Sequence, residues 1–109
     1  MQDCKETNIL SVTTTVADEA AARRLARLIL ERRLAACVQL DGGVTSLYRW
    51  QGKLCEEPEI RLVIKTLPVC LPALRELLRE HHPYELPQVL ACPMAASEAY
   101  ANWVAEAVA

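Results

Sequence analysis

The fold is decided by residues 44–66, which read VTSLYRWQGKLCEEPEIRLVIKT. From Pro58 to Thr66 apolar and charged side chains alternate, a pattern that predicts a strand with one buried face and one polar face. The preceding run is rich in β-branched and aromatic residues, and residues 50–53 are typical of a hairpin tip. This stretch therefore predicts two antiparallel strands with Trp50 at the turn.

Amphipathic helices flank this hairpin in the sequence. Before it, apolar residues recur at helical spacing from Ala22 to Ile29, and after it a leucine stripe runs from Leu71 to Leu78. Predicted strands cover residues 8–16, 35–48, 53–67 and 88–95, and predicted helices cover residues 18–33, 69–82 and 97–107.

The resulting order is βαββαβ followed by one more helix. Two interleaved βαβ units predict an α+β, ferredoxin-like sandwich with an extra C-terminal helix, in which both main helices cover the same face of the sheet. A short third helix cannot cover the whole opposite face. Association between subunits is the natural way to bury the remainder.

The length of 109 residues predicts a single domain, residues 1–109, with residues 1–7 flexible. The chain has no phenylalanine, and 16 of its hydrophobic residues are alanines, which bury little area each. A core this small favours burial of further surface against copies of the same chain.

Charge and composition exclude several classes of function. The net charge of −2 argues against non-specific nucleic-acid binding, and no uncharged run is long enough for a membrane span. RNA-recognition modules share the βαββαβ order, but they need aromatic residues on central strands, and the alternating strand has none. Five scattered cysteines without a CxxC pair, and no visible signal peptide, predict reduced thiols in the cytoplasm.

Several short strings occur together in a specific order and spacing. They are LAAC at 34–37, TSLY at 45–48 with Trp50, GK at 52–53, IKT at 64–66, and HHPY at 81–84 with Pro87. Jointly they resemble CutA, the divalent-cation tolerance protein family, over about residues 11–103. The resemblance implies a homotrimer akin to the trimeric PII signalling proteins. It also implies association with copper and other divalent metals, as a binding protein rather than an enzyme.

The resemblance also implies metal ligands at His81 and His82, the only histidines of the chain. Imidazole suits copper, zinc and nickel. Family members with a proposed copper site add a cysteine where this chain has Thr14, and often have a glutamate where Gln88 follows Pro87. Losing the thiolate should weaken Cu(I) binding more than Cu(II) binding, and two histidines alone predict a weak site for Cu(II) or another divalent transition metal, with no obligatory cofactor. The alternative is that the two histidines only cap the last helical turn.

A second predicted site is a polar pocket at the subunit interface. The resemblance places the equivalents of Glu59, Lys65 and Tyr84 near clefts between subunits, with Cys37 nearby. From the residues alone, the charges fit a solvated strand face equally well, and Cys37 in its apolar run fits a buried structural thiol. Trp50 is predicted to anchor the interface, with a ligand platform as the alternative.

Two functions stay open at this point. One is a trimeric divalent-metal-binding protein, with copper as the expected metal, that acts in metal ion tolerance or in the response to metal ions. The other is a PII-like signalling or scaffold trimer that binds a small ligand and for which metal binding is incidental. Neither function needs catalysis, and no catalytic residue is predicted.

Overall fold

A computed structural model describes residues 6–109 of the chain. Its elements are β1 (Glu6–Val16), α1 (Glu19–Glu31), β2 (Cys37–Trp50), β3 (Lys53–Thr66), α2 (Leu71–His81), β4 (Leu90–Ser97) and α3 (Glu98–Val108). The predicted order is confirmed, and each predicted boundary lies within two residues of the observed one. The largest local difference precedes α2, where Pro68–Cys70 form a separate 3₁₀ turn.

The four strands form one antiparallel sheet in the order β2-β3-β1-β4. This is the topology of two interleaved βαβ units, so the predicted ferredoxin-like fold is confirmed. Glu6 and Thr7, which belong to the segment predicted to be flexible, pair with Ser97 and Ala96 of β4. The remainder of that predicted segment lies outside the described residues.

The main core lies between α1, α2 and one face of the sheet. The Asp18 carboxylate begins α1 by accepting a hydrogen bond of 2.8 Å from the Ala21 N–H. The largest fully buried side chains of this core are Val12, Val16, Ile29, Leu62, Ile64, Leu74, Leu77 and Leu78. They fix the two central strands against the helices.

The opposite face of the sheet, here called the open face, carries alternate residues of β3 that include Arg61, Val63 and Lys65. Helix α3 covers one end of it, where Val104 packs against Ile9. The third helix therefore covers only part of this face, as the element order predicts. Among residues 6–109, no helix is long and apolar enough to cross a membrane.

Strands β2 and β3 extend well beyond the rest of the sheet. The pairing of β1 with β3 ends at Val16 and Ile60, so residues 44–59 continue as a two-stranded ribbon, here called the hairpin arm. Its turn has positive φ at both Gln51 and Gly52, which is the two-residue geometry that matches the twist of a hairpin. The predicted hairpin tip is confirmed.

The edges of this sheet contain two prolines. Pro58 of β3 lies in the hairpin arm opposite Thr45, on a stretch that has no strand partner on its other side among residues 6–109. Pro93 lies opposite Leu10 in β4, which forms one edge of the sheet. Because proline has no N–H, neither position offers a donor to a further strand.

Candidate functional site

His82 is the most buried residue of the predicted sites. Helix α2 ends at His81, because Pro83 disfavours a helical conformation at the residue before it. The backbone of His82 is extended, with φ −69° and ψ 133°, and this turns its side chain inward until only 8% is exposed. The end of α2 that Pro83 predicts is therefore also the place where the His82 imidazole enters the core.

Both ring nitrogens of His82 have hydrogen-bond partners. Nδ1 accepts from the Tyr84 N–H at 3.0 Å, and Nε2 lies 3.0 Å from both the Thr14 hydroxyl and the Thr15 carbonyl oxygen. Because a backbone N–H only donates, the neutral ring must carry its proton on Nε2. In this arrangement neither nitrogen has a free lone pair for a metal ion.

We expect the protein to lose stability on acidification below about pH 6.5, the ordinary pKa of histidine. Burial lowers the pKa of His82, while the Thr15 carbonyl and the charge of Glu59 oppose that effect. Between pH 6.5 and the lowered pKa, the unfolded ring therefore binds more protons than the folded one, and stability falls as pH falls. Urea titrations from pH 7.5 to 5 should show a shallower pH dependence in His82→Gln than in wild type. An equal pH dependence of stability in the two proteins would contradict this prediction.

His81 lies in a different environment. It is exposed on the last turn of α2 and lines a groove of about 380 Å³, the α1–α2 groove, together with Arg24, Arg27 and Glu31. The structure therefore directs one histidine into the core and the other to the surface, and does not bring them together on one ion. Within residues 6–109, no group of three or more His, Cys, Asp or Glu side chains is placed to hold a metal ion.

Tyr84 and Glu59 form the first half of the predicted pocket. The Tyr84 hydroxyl donates to the Glu59 carboxylate at 2.7 Å, and the tyrosine ring lies 5.1 Å from the His82 ring. Partial burial, followed by the hydrogen bond to Glu59, raises the pKa of Tyr84. The pair therefore joins the segment after α2 to the base of the hairpin arm with the phenol protonated.

Replacing Tyr84 by Phe should destabilise the protein by about 1 kcal/mol, since it removes one part-buried hydrogen bond to a carboxylate. Chemical denaturation at pH 7 measures this difference. Tyr100→Phe is the matched control, because its ring is exposed and its hydroxyl has no protein partner among the described residues. Equal effects of the two substitutions would show that the Glu59 contact contributes nothing.

Lys65 and Cys37 form the other half of the predicted pocket. They are neighbours across β2 and β3, and the Lys65 ammonium donates to the Gln39 side-chain oxygen at 3.0 Å. Lys65 and Glu59 are six positions apart on β3, a distance of roughly 20 Å along a strand. One subunit therefore holds two separate pairs, and the predicted pocket stays a prediction for an assembly.

Sequence reasoning missed two members of these clusters. Thr15 acts through its backbone carbonyl, which no side-chain pattern reveals. Gln39 alternates with apolar residues in β2, so its period-two position was a signal that its side chain shares a face with Lys65.

Residues 10–107 match the CutA1 divalent ion tolerance protein family. The chain belongs to this family. The CutA protein of Thermus thermophilus is 42% identical over 96 residues, covering 87% of this chain and 93% of that protein. The CutA protein of Escherichia coli is 42% identical over 107 residues, covering 95% of this chain and 96% of its own length. Both relatives are named divalent-cation tolerance proteins.

Solved CutA structures share the fold. CutA from Synechococcus elongatus superimposes with a TM-score of 0.92 at 38% identity, covering 98% of this chain and 96% of that chain. CutA from Xylella fastidiosa gives a TM-score of 0.90 at 34% identity, covering 94% of this chain and 100% of that chain. The CutA architecture therefore extends over nearly all of the described residues.

Thr14 marks the main departure from the CutA pattern expected at a copper site. Its hydroxyl lies 3.0 Å from His82 Nε2, so the position aligned with the expected cysteine does contact a histidine. In this chain the contact is a hydrogen bond between neutral groups. The pair fastens the end of α2 to β1.

Proposed function

We propose that this chain acts in divalent-cation tolerance as a homotrimeric binding protein. Membership of the CutA1 family supports the tolerance role. The observation that supports assembly is the exposure of apolar side chains along the hairpin arm, where Leu54 is 80% and Trp50 is 42% exposed. Apolar side chains displayed this openly on a small protein are typical of a surface that associates.

The edge strand β4 gives independent support for association. Every residue of β4 except Ala96 is exposed, including Leu90 and Met94. An apolar edge strand would template uncontrolled pairing unless another element covers it. The open face, β4 and the hairpin arm together form the surface that copies of the chain would bury.

Light scattering tests the assembly directly. A homotrimer should elute with a mass of about 36 kDa, three times the 12.1 kDa of one chain. The mass should stay constant on dilution through the micromolar range. A species of 12 kDa at those concentrations would overturn the proposal.

For the metal, we propose that any direct Cu(II) ligation occurs through His81 and is weak. The His82 ring nitrogens are engaged in hydrogen bonds, whereas His81 is exposed. Arg24 and Arg27 beside His81 disfavour a cation, and one imidazole binds a metal poorly by itself. The tolerance role then does not depend on tight copper binding by the folded protein.

Calorimetric titration with Cu(II), after alkylation of accessible thiols, separates the two histidines. His81→Ala should remove most of the residual binding. His82→Gln, used only after its folding has been verified, should leave that binding unchanged. The reverse result would show that the segment around Tyr84 rearranges to release His82 as a ligand.

A second candidate function is binding of a small ligand between subunits, as in PII-like proteins. It is favoured by the separation of Glu59–Tyr84 from Cys37–Lys65, because two pairs roughly 20 Å apart on one strand converge only if different subunits supply them. A carbodiimide that joins contacting amines and carboxylates tests this. A Glu59–Lys65 cross-link found by mass spectrometry would support an intersubunit pocket, and its absence from an intact trimer would exclude one.

For the location, we propose the cytoplasm. The four cysteines among the described residues, Cys37, Cys55, Cys70 and Cys92, are all free thiols, as expected where thiols stay reduced. The solved relative from Archaeoglobus fulgidus is described as periplasmic. Subcellular fractionation distinguishes the two compartments.

A further inference from the structure

The α1–α2 groove lies on the outer surface of the helices, away from the open face of the sheet. Its volume of about 380 Å³ falls within the range of small-molecule sites in proteins. Its lining combines polar and apolar side chains: Arg24, Arg27, Glu31, His81, Leu28 and Pro83. The groove is thus large enough for a small organic molecule, and it offers both charge and apolar contact.

Two positive charges in this groove have no partner. Among residues 6–109, the ion pairs are Arg23 with Glu19, Arg61 with Asp41 and Arg79 with Glu76, so Arg24 and Arg27 are free of them. They are three residues apart on α1, which places them as neighbours on the helix surface. A guanidinium pair of this kind matches the planar, bidentate contacts that phosphate oxygens accept.

Glu31 also lines the groove, and its charge makes it possible to test whether the groove prefers an anion or a cation. It is four residues after Arg27 but forms no ion pair with it. An anion in the groove would be repelled by Glu31, whereas a cation would be attracted. Because the whole chain has a net charge of −2, the positive charge that Arg24 and Arg27 give to this groove is a local feature.

We propose that the α1–α2 groove binds a small organic phosphate. Arg24 and Arg27 contact the phosphate oxygens, and the organic part lies against Leu28 and Pro83. The site is separate from the subunit interface proposed above, because the helices cover the other face of the sheet. Its occupant is an anion, although the family name refers to divalent cations.

Phenyl phosphate and inorganic phosphate serve as probes in calorimetric titrations of the intact protein at low salt. The double variant Arg24→Gln/Arg27→Gln should weaken phenyl phosphate binding at least tenfold. Glu31→Gln should tighten it severalfold. Arg23→Gln is the matched control: it lies on the same helix, pairs with Glu19 and does not line the groove, so it should change the affinity less than twofold.

Three results would overturn the proposal. Equal loss in the Arg23 control and the double variant would mean that only the general charge of α1 attracts the probe. Equal affinity for phenyl and inorganic phosphate would exclude an organic ligand held by Leu28. If Glu31→Gln abolishes Cu(II) binding while the double arginine variant strengthens it, the groove is a cation site.

Discussion

His82→Ala should destabilise the protein by about 3 kcal/mol, because it leaves buried polar groups without partners and opens a cavity. The Tyr84 N–H loses its acceptor, and the Thr14 hydroxyl and Thr15 carbonyl lose the ring N–H. The Thr14 and Thr15 contacts are buried at the junction of α2 with β1, which limits how far water can replace the ring. Denaturant titration at pH 7.5 and a fixed subunit concentration measures the loss.

The neighbouring histidine supplies the control for that experiment. His81 is exposed, and replacing it by Ala should change stability by less than about 0.5 kcal/mol. Two adjacent residues of the same type should therefore differ severalfold in their effect. If His82→Ala were as mild as His81→Ala, the buried hydrogen bonds would not contribute to stability, and His82 would be available for another role.

Trp50→Glu combined with Leu54→Glu should dissociate the proposed trimer into a 12.1 kDa species. Both residues lie in the hairpin arm, and both side chains are exposed in the single subunit. Burying two carboxylates in an apolar interface costs several kcal/mol per subunit, enough to shift assembly by at least a hundredfold. Light scattering across a dilution series measures this shift.

Val69→Glu is the matched control for the hairpin arm. Val69 is 80% exposed, as Leu54 is, but it lies in the 3₁₀ turn before α2. It should leave the mass unchanged. Dissociation by Val69→Glu as well would place the interface on the helical side, and a stable trimer in the double variant would show that the arm does not hold the subunits together.

The elements of the fold were accessible from the sequence because each has a local physical signal. The structure confirms three of these signals. Side chains from Pro58 to Thr66 alternate between the two faces of β3, residues 51–52 form the hairpin turn, and the leucine stripe of α2 is buried. Strand β4 begins and ends two residues later than predicted, and its later end has a cause that is not local in the sequence. Ala96 has low strand propensity, but Ala96 and Ser97 are held in β4 by pairing with Thr7 and Glu6.

Less of the candidate site could be predicted from the sequence, because its geometry depends on contacts between residues that are distant in the sequence. Pro83 predicts where α2 stops, yet nothing near it in the sequence shows that His82 then turns toward Thr14, which lies 68 positions earlier. The family resemblance did place these two positions in one neighbourhood. It could not show that a backbone N–H occupies Nδ1, since that depends on the path of the chain after the helix.

The two edge prolines bear on how the chain behaves at high concentration. A fibril grows when the exposed backbone of one strand templates a strand of the next molecule, and each added strand needs an unbroken row of donors and acceptors. Pro58 and Pro93 interrupt that row on the arm and on β4, the apolar segments most exposed before subunits meet. The same surfaces can therefore associate through side chains into a closed oligomer while resisting open-ended growth into amyloid.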